Sequence, residues 1–187
     1  MSRNCLLVID MLNDFLDRRS PEEVARLISK TNELISAFRL ANQPIIWIRQ
    51  AFKADLSDAY LEWRDENFSM TIENTRGSEI HADLQKLPAD PVITKKRYSA
   101  FFGTNLDTLL DDLSVSRITL TGVNTHECVR MAAIDAYQRD HRVTIASECI
   151  HSKHLEHARM TLDYLSGKMA ALMTNDEIVR SLSAPAN

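Results

Sequence analysis

Two kinds of hydrophobic pattern alternate along this chain. Short runs dense in branched apolar residues recur as CLLVID (5–10), PIIWIR (44–49), PVIT (91–94), RITLTG (117–122), RVTIAS (142–147) and MAALMT (169–174). In the first five the apolar residues are nearly continuous, so both faces of each strand must be covered. Strands of a parallel sheet read this way. Between the runs, apolar positions recur with a helical period. Ser20-Pro21-Glu22-Glu23 has the form of a capping box with proline at the first helical position. Val24, Leu27, Ile28, Leu34, Ile35 and Phe38 follow it as one stripe. Val129, Ala132, Ala133 and Ala136 form a second stripe, and Leu155, Ala158, Leu162 and Leu165 a third.

Such alternation predicts an α/β fold with right-handed crossovers, a three-layer doubly wound sheet of six parallel strands. No internal repeat or low-complexity tract interrupts it, and residues 1–187 are expected to form one domain. One region breaks the rhythm. Residues 50–80 are irregular and rich in acidic and aromatic side chains, with a short helix expected near 60–64. A connection of this length is expected to be a lid or an interface segment.

Composition narrows the function classes. The formal net charge of -4 points away from nucleic acid and anionic membrane as partners. Apolar runs stay far below the roughly 18 residues of a membrane span. Cys5, Cys128 and Cys149 are too few and too irregularly spaced for a disulfide framework, so a reducing cytoplasm is expected. The four glycines build neither GxGxxG nor a Walker-type loop, and CxxC, HExxH and GxSxG are absent.

In open α/β sheets, ligands bind beyond the carboxyl ends of the strands, where strand order reverses. The first strand ends in Asp10. The third ends in Thr94, followed by Lys95 and Lys96. The fourth leads through Gly122 to Asn124, Thr125, His126 and Cys128. With the order 3-2-1-4-5-6, Asp10 and Cys128 face one crevice. A thiolate near a helix N-terminus is stabilised by the helix dipole and by a neighbouring ammonium. Asp10 has the chemistry to accept and return its proton, and early helical N–H groups are free to hold an oxyanion. From position alone Cys128 reads equally well as a buried packing residue. Cys5 and Cys149 read as structural. His151, His154 and His157 read as a solvated helix start rather than a metal site, and the HEC of 126–128 lacks the PCxxC of zinc deaminases.

Three ordered blocks carry a family resemblance: LLVIDMLNDF (6–15), TKKRYSAFFGTNLDTLL (94–110) and TGVNTHECVRMAAIDA (121–136). With these the chain resembles the isochorismatase-like cysteine hydrolases, closest in wording to the metal-free group around N-carbamoylsarcosine amidase. The resemblance implies the strand order 3-2-1-4-5-6 and a catalytic triad of Asp10, Lys95 and Cys128. Lys95 is preferred over Lys96 because it stands three before Tyr98. It also implies a cis peptide between Val123 and Asn124, with the Asn124 and Cys128 amides as the oxyanion hole. The implied reaction is hydrolysis of a small amide or ureido compound through a thioester, without a cofactor, by a homodimer or homotetramer. Phe15 and Tyr98 are candidates for the substrate pocket. Leu12 stands where nicotinamidases carry glutamine, and no D-x-H pair follows the second strand, so no metal is expected. Vinyl ether hydrolysis with Asp10 as the acid, and a non-catalytic member, are the alternatives.

Overall fold

In the computed structural model, which describes residues 3–183, all six apolar runs become strands. They are β1 (Arg3–Ile9), β2 (Ile45–Gln50), β3 (Val92–Lys95), β4 (Val115–Val123), β5 (Arg142–His151) and β6 (Ala170–Met173). All pairings are parallel, in the order β3-β2-β1-β4-β5-β6. The helices are α1 (Asn13–Leu16), α2 (Pro21–Leu40), α3 (Leu61–Asp65), α4 (Leu106–Asp112), α5 (Arg130–Tyr137), α6 (Leu155–Leu165) and α7 (Asn175–Ser183).

The continuous apolar strands are explained by cover on both sides. From one face of the sheet Leu6, Val8, Ile45 and Trp47 meet Leu27, Ile28, Leu34, Ile35 and Phe38 of α2, with Ile178 of α7. From the other, Cys5, Leu7, Ile9, Ile46 and Ile48 pack with Leu106 and Leu110 of α4, the alanines of α5 and Leu165 of α6. The expected capping box closes α2: Ser20 Oγ accepts from the Glu23 N–H at 3.2 Å and Glu23 Oε2 from the Ser20 N–H at 3.1 Å. A cap of this kind is worth about 1 kcal/mol.

The third stripe needs correction. Leu155 is 70% exposed, because it opens α6 and that helix is buried only at Thr161 and Leu165.

Residues 50–80 are folded back on themselves. Phe52, Leu56 and Ala59 form a small core of their own with Tyr60, Trp63 and Ile72. Helix α3 covers 61–65 within it, and a 3-10 turn follows at Arg76–Ser78. Lys96 fastens both limbs: its Nζ lies 2.7 Å from Asp58 Oδ2, 2.7 Å from Glu73 Oε1 and 2.5 Å from the Ala51 carbonyl.

At the centre of the sheet β1 and β4 come unusually close. Gly122 pairs with Ile9 at a φ of +112°, and a Cβ there would stand 1.9 Å from the Ile9 carbonyl oxygen. Only glycine meets both demands. The approach draws together the two chain segments that carry Asp10 and Cys128.

Candidate active site

Each of the three chemistry-bearing residues is set by its own strand end. Asp10 follows β1; its N–H donates to Ile48 O at 2.9 Å, and its φ of 52° is left-handed, which aspartate tolerates better than most residues. Lys95 is the last residue of β3, paired in register with Gln50. Cys128 lies beyond β4, in a π turn over Thr125–Val129 that runs directly into α5. There the Val129 N–H reaches back to Asn124 O at 3.3 Å. The thiol therefore sits in a wide turn ahead of α5, where the sequence suggested the first turn of the helix. The Val123–Asn124 peptide is cis.

These three side chains meet. Lys95 Nζ is 2.7 Å from Asp10 Oδ2 and 3.3 Å from Cys128 Sγ. Lys95 and Asp10 are wholly buried, and Cys128 is 3% exposed. Nζ also lies 3.1 Å from the Arg97 carbonyl and 3.4 Å from Gln50 Oε1. An ammonium has three protons. They cannot serve all four neighbours at once, and Asp10, at 2.7 Å, is the nearest of them, held in a buried ion pair. The carboxylate keeps lone pairs free to take a proton.

Electrostatics here differ from the simple thiolate expected. Burial pulls the Lys95 ammonium down, but its buried partners, Asp10 foremost, outweigh it and raise its pKa above that of an ordinary lysine. Burial first, and then the Asp10 carboxylate, push the Cys128 thiol well above its usual range, with Lys95 opposing. Burial and the neighbouring Asp10 thus favour the protonated thiol, and Lys95 favours the thiolate. The thiolate forms only when a proton moves.

Cys128 opens onto a cavity of about 180 Å³, and both pocket candidates, Phe15 and Tyr98, line it. Trp63, Phe68 and Met70 add apolar lining, and Arg18, Arg19, Lys153 and Glu127 add charged lining. Tyr60 stands against Tyr98 and Trp63, with ring centroids 5.2 and 5.3 Å away. Gln50 is legible in retrospect as the polar end of β2. The contribution of residues 63–70 was not, because nothing local says where an irregular segment folds back.

The histidines divide otherwise than their spacing suggested. His151 ends β5, while His126 joins His154 and His157 with ring centroids 5.4 to 5.5 Å apart. Among the described residues no three His, Cys, Asp or Glu side chains are arranged to hold a metal ion, and no helix is long and apolar enough to cross a membrane.

Similarity to known proteins extends over almost the whole chain. An isochorismatase family protein of Bacillus subtilis, YaaI, is 29% identical over 177 residues, covering 92% of this chain and 93% of its own. A probable inactive nicotinamidase of Arabidopsis thaliana is 33% identical, over 76% of this chain and 78% of its own. The solved N-carbamoylsarcosine amidase of Thermoplasma acidophilum superposes with a TM-score of 0.80 at 25% identity, covering 93% of this chain and 97% of that one. The isochorismatase domain matches residues 4–177, and the chain belongs to the isochorismatase family of hydrolases.

Proposed function

We propose that the protein is a cysteine-dependent hydrolase cleaving a C–N bond of a small amide or N-carbamoyl compound through a thioester. The observation that carries this reading is the buried contact of Lys95 Nζ with both Asp10 and Cys128, at 2.7 and 3.3 Å, beside a cavity. Asp10 takes the Sγ proton as sulfur attacks the carbonyl carbon. Lys95 remains an ammonium and balances the negative charge passing between carboxylate and sulfur. The oxyanion is held by the backbone N–H groups of Asn124 and Cys128. Among the described residues no backbone carbonyl accepts from the Asn124 N–H. Collapse breaks the C–N bond, and the departing nitrogen takes the proton from Asp10. Water then attacks the thioester, giving a proton to Asp10 that returns to sulfur as the acid leaves.

A cavity of about 180 Å³ suits a small substrate. The likeness to N-carbamoylsarcosine amidase supports the same class. A homodimer or homotetramer belongs to this reading, and sedimentation velocity tests it. The deciding experiment is a panel of small amides and ureas, with ammonia release and intact mass followed together. Wild type is expected to release ammonia and carry an acyl adduct on Cys128; Cys128→Ala is expected to do neither while keeping its circular dichroism. Amide turnover retained by Cys128→Ala would refute the thioester route, whereas cleavage of a vinyl ether by wild type and Cys128→Ala alike, with no amide turnover, would shift the reading to vinyl ether chemistry with Asp10 as the acid. No turnover and no adduct in wild type would favour a non-catalytic member, the reading suggested by the similarity to the probable inactive nicotinamidase.

A further inference from the structure

The three described contacts of Arg19 run from the turn before α2 into the candidate oxyanion site. Its Nη1 donates to the Phe15 carbonyl, its Nε to His151 Nδ1 at 3.0 Å and its Nη2 to Asn124 Oδ1 at 2.5 Å. The other end of the Asn124 carboxamide donates from Nδ2 to Glu127 Oε2 at 2.7 Å. A cation grips the carboxamide oxygen and an anion grips its nitrogen. Turning the amide over would set like against like at both ends, so one orientation is enforced. Asn124 is also the residue whose backbone N–H is assigned above to the oxyanion.

His151 governs this grip. Arginine has no acceptor, so His151 Nδ1 must be unprotonated to receive its N–H. The ring proton then sits on Nε2, 3.4 Å from Glu23 Oε1. A second proton, placed on Nδ1, would set N–H against N–H and cation against cation across 3.0 Å. The charged groups bearing on His151 come from the turn before α2 and from α2 itself: Arg19 and Arg26 disfavour the second proton and Glu23 favours it. Burial is the largest influence and, with the two arginines, holds the imidazole below its ordinary pKa. Glu127, beyond Asn124, bears on Arg19 from the opposite side. The grip is thus intact at neutral pH and opens as the solution becomes acid.

We propose that Arg19 is a positioning residue for the oxyanion donor Asn124, and that His151 makes this positioning proton-sensitive by acting as the acceptor for Arg19. The proposal rests on the amidohydrolase reading for its kinetic consequence, though not for the contact itself. An oxyanion donor acts in the transition state and not on bound substrate, so its loss lowers kcat and leaves KM nearly unchanged. Losing such a donor outright costs about 10²–10³ in kcat. Misaiming it through Arg19→Leu is expected to cost about 10–100-fold.

The test is the pH profile of kcat for wild type, His151→Gln and His151→Phe, beside NMR of the Asn124 side-chain amide in the free protein. Disappearance of its signal in Asn124→Ala assigns the amide. Glutamine supplies an acceptor that does not titrate. His151→Gln is therefore expected to keep the alkaline plateau to within about threefold and to move the acid limb expected of wild type to lower pH, leaving only the limb set by the base Asp10, while His151→Phe is expected to be low at every pH. The wild-type Asn124 amide is expected to shift with His151 titration, and that of His151→Gln to lose this component and keep only the one set by Glu127, which holds its Nδ2. An acid limb unchanged in His151→Gln, an Arg19→Leu defect confined to KM, or an Asn124 signal indifferent to His151 would each overturn the proposal. An Asn124 signal that follows His151 in a protein with no amidase activity would instead overturn the amidohydrolase reading and leave the contact standing.

Discussion

Replacing Gly122 by alanine tests whether the close approach of β1 and β4 governs both stability and chemistry. An added Cβ would meet Ile9 O at 1.9 Å, Ile9 C at 2.7 Å and Ile9 N at 2.9 Å. These are backbone atoms and cannot rotate away as a side chain would. Nonbonded carbon and oxygen rest at about 3.3 Å or beyond, so relief requires the strands to part by more than an ångström. The backbone at φ +112° adds strain of about 1–3 kcal/mol for a residue with a side chain. Overpacking adds roughly 1–3 kcal/mol. Together these give a loss of about 2–6 kcal/mol, a large share of the ~5–15 kcal/mol that holds a domain folded. Because Asp10 adjoins Ile9, the same displacement moves the carboxylate relative to Cys128, and misplacement by an ångström costs about 10²-fold in rate. Gly103 supplies the control: its φ is +66°, but no atom lies within 4 Å of its absent Cβ. Gly103→Ala is expected to lose only about 1 kcal/mol, from the backbone alone. Urea unfolding of both variants, with kcat measured on the folded protein, decides the matter. Equal shifts in the urea midpoint, or a wild-type kcat in Gly122→Ala, would refute the reasoning.

Other perturbations separate the remaining parts. Lys96→Met removes the contacts to Asp58, Glu73 and the Ala51 carbonyl. At this exposure the loss is expected to be roughly 1 kcal/mol, and chymotrypsin should cut within 50–80 faster than in wild type; an unchanged digestion pattern argues that the segment's own core suffices. Asp90 accepts from Arg39 at 2.7 and 3.0 Å, from the Trp47 indole at 3.0 Å and from the Leu87 N–H at 2.8 Å. Burial opposes its ionisation, but these donors prevail and hold its pKa below the ordinary aspartate value. Its stabilisation is therefore full above the unfolded value of about 3.9 and is lost as pH falls through the lower folded one. Asp90→Asn is expected to narrow the difference in urea midpoint between neutral and acid solution, and a difference of wild-type size counts against the assignment.

The fold was largely legible because its signals are local. Six apolar runs and a capping box depend on residues near one another in sequence, and each strand begins and ends within a few residues of its run. The start of α6 was misread for the same reason: Leu155 continues the stripe of Leu162 and Leu165, yet nothing local says that its turn of helix lies off the sheet. In the candidate site, Asp10, Lys95 and Cys128 were found because they stand at strand ends, where topology alone gathers side chains. Arg19 gave no such signal. Beyond the nearby Phe15 carbonyl, its partners are Asn124 and His151, more than 100 positions away in sequence, and only the finished sheet brings them together.

The pair Lys95-Lys96 shows how strand geometry divides two identical side chains. Successive residues of a strand point to opposite faces. In β3 the burial follows that parity: Val92 is exposed, Ile93 buried, Thr94 half-buried and Lys95 buried. Lys95 therefore continues the line of Ile93 into the interior, where only a charge partner makes an ammonium tolerable, and Asp10 is that partner. Lys96, one step on, turns away to Asp58 and Glu73 at the partly exposed base of residues 50–80. The choice between the two lysines, drawn from family resemblance, thus has a physical origin. Shifting the register of β3 by one residue would put Lys96 beside Cys128 and leave the 50–80 segment without its anchor. Site and segment are consequently held by the same strand, through adjacent residues with opposite facing.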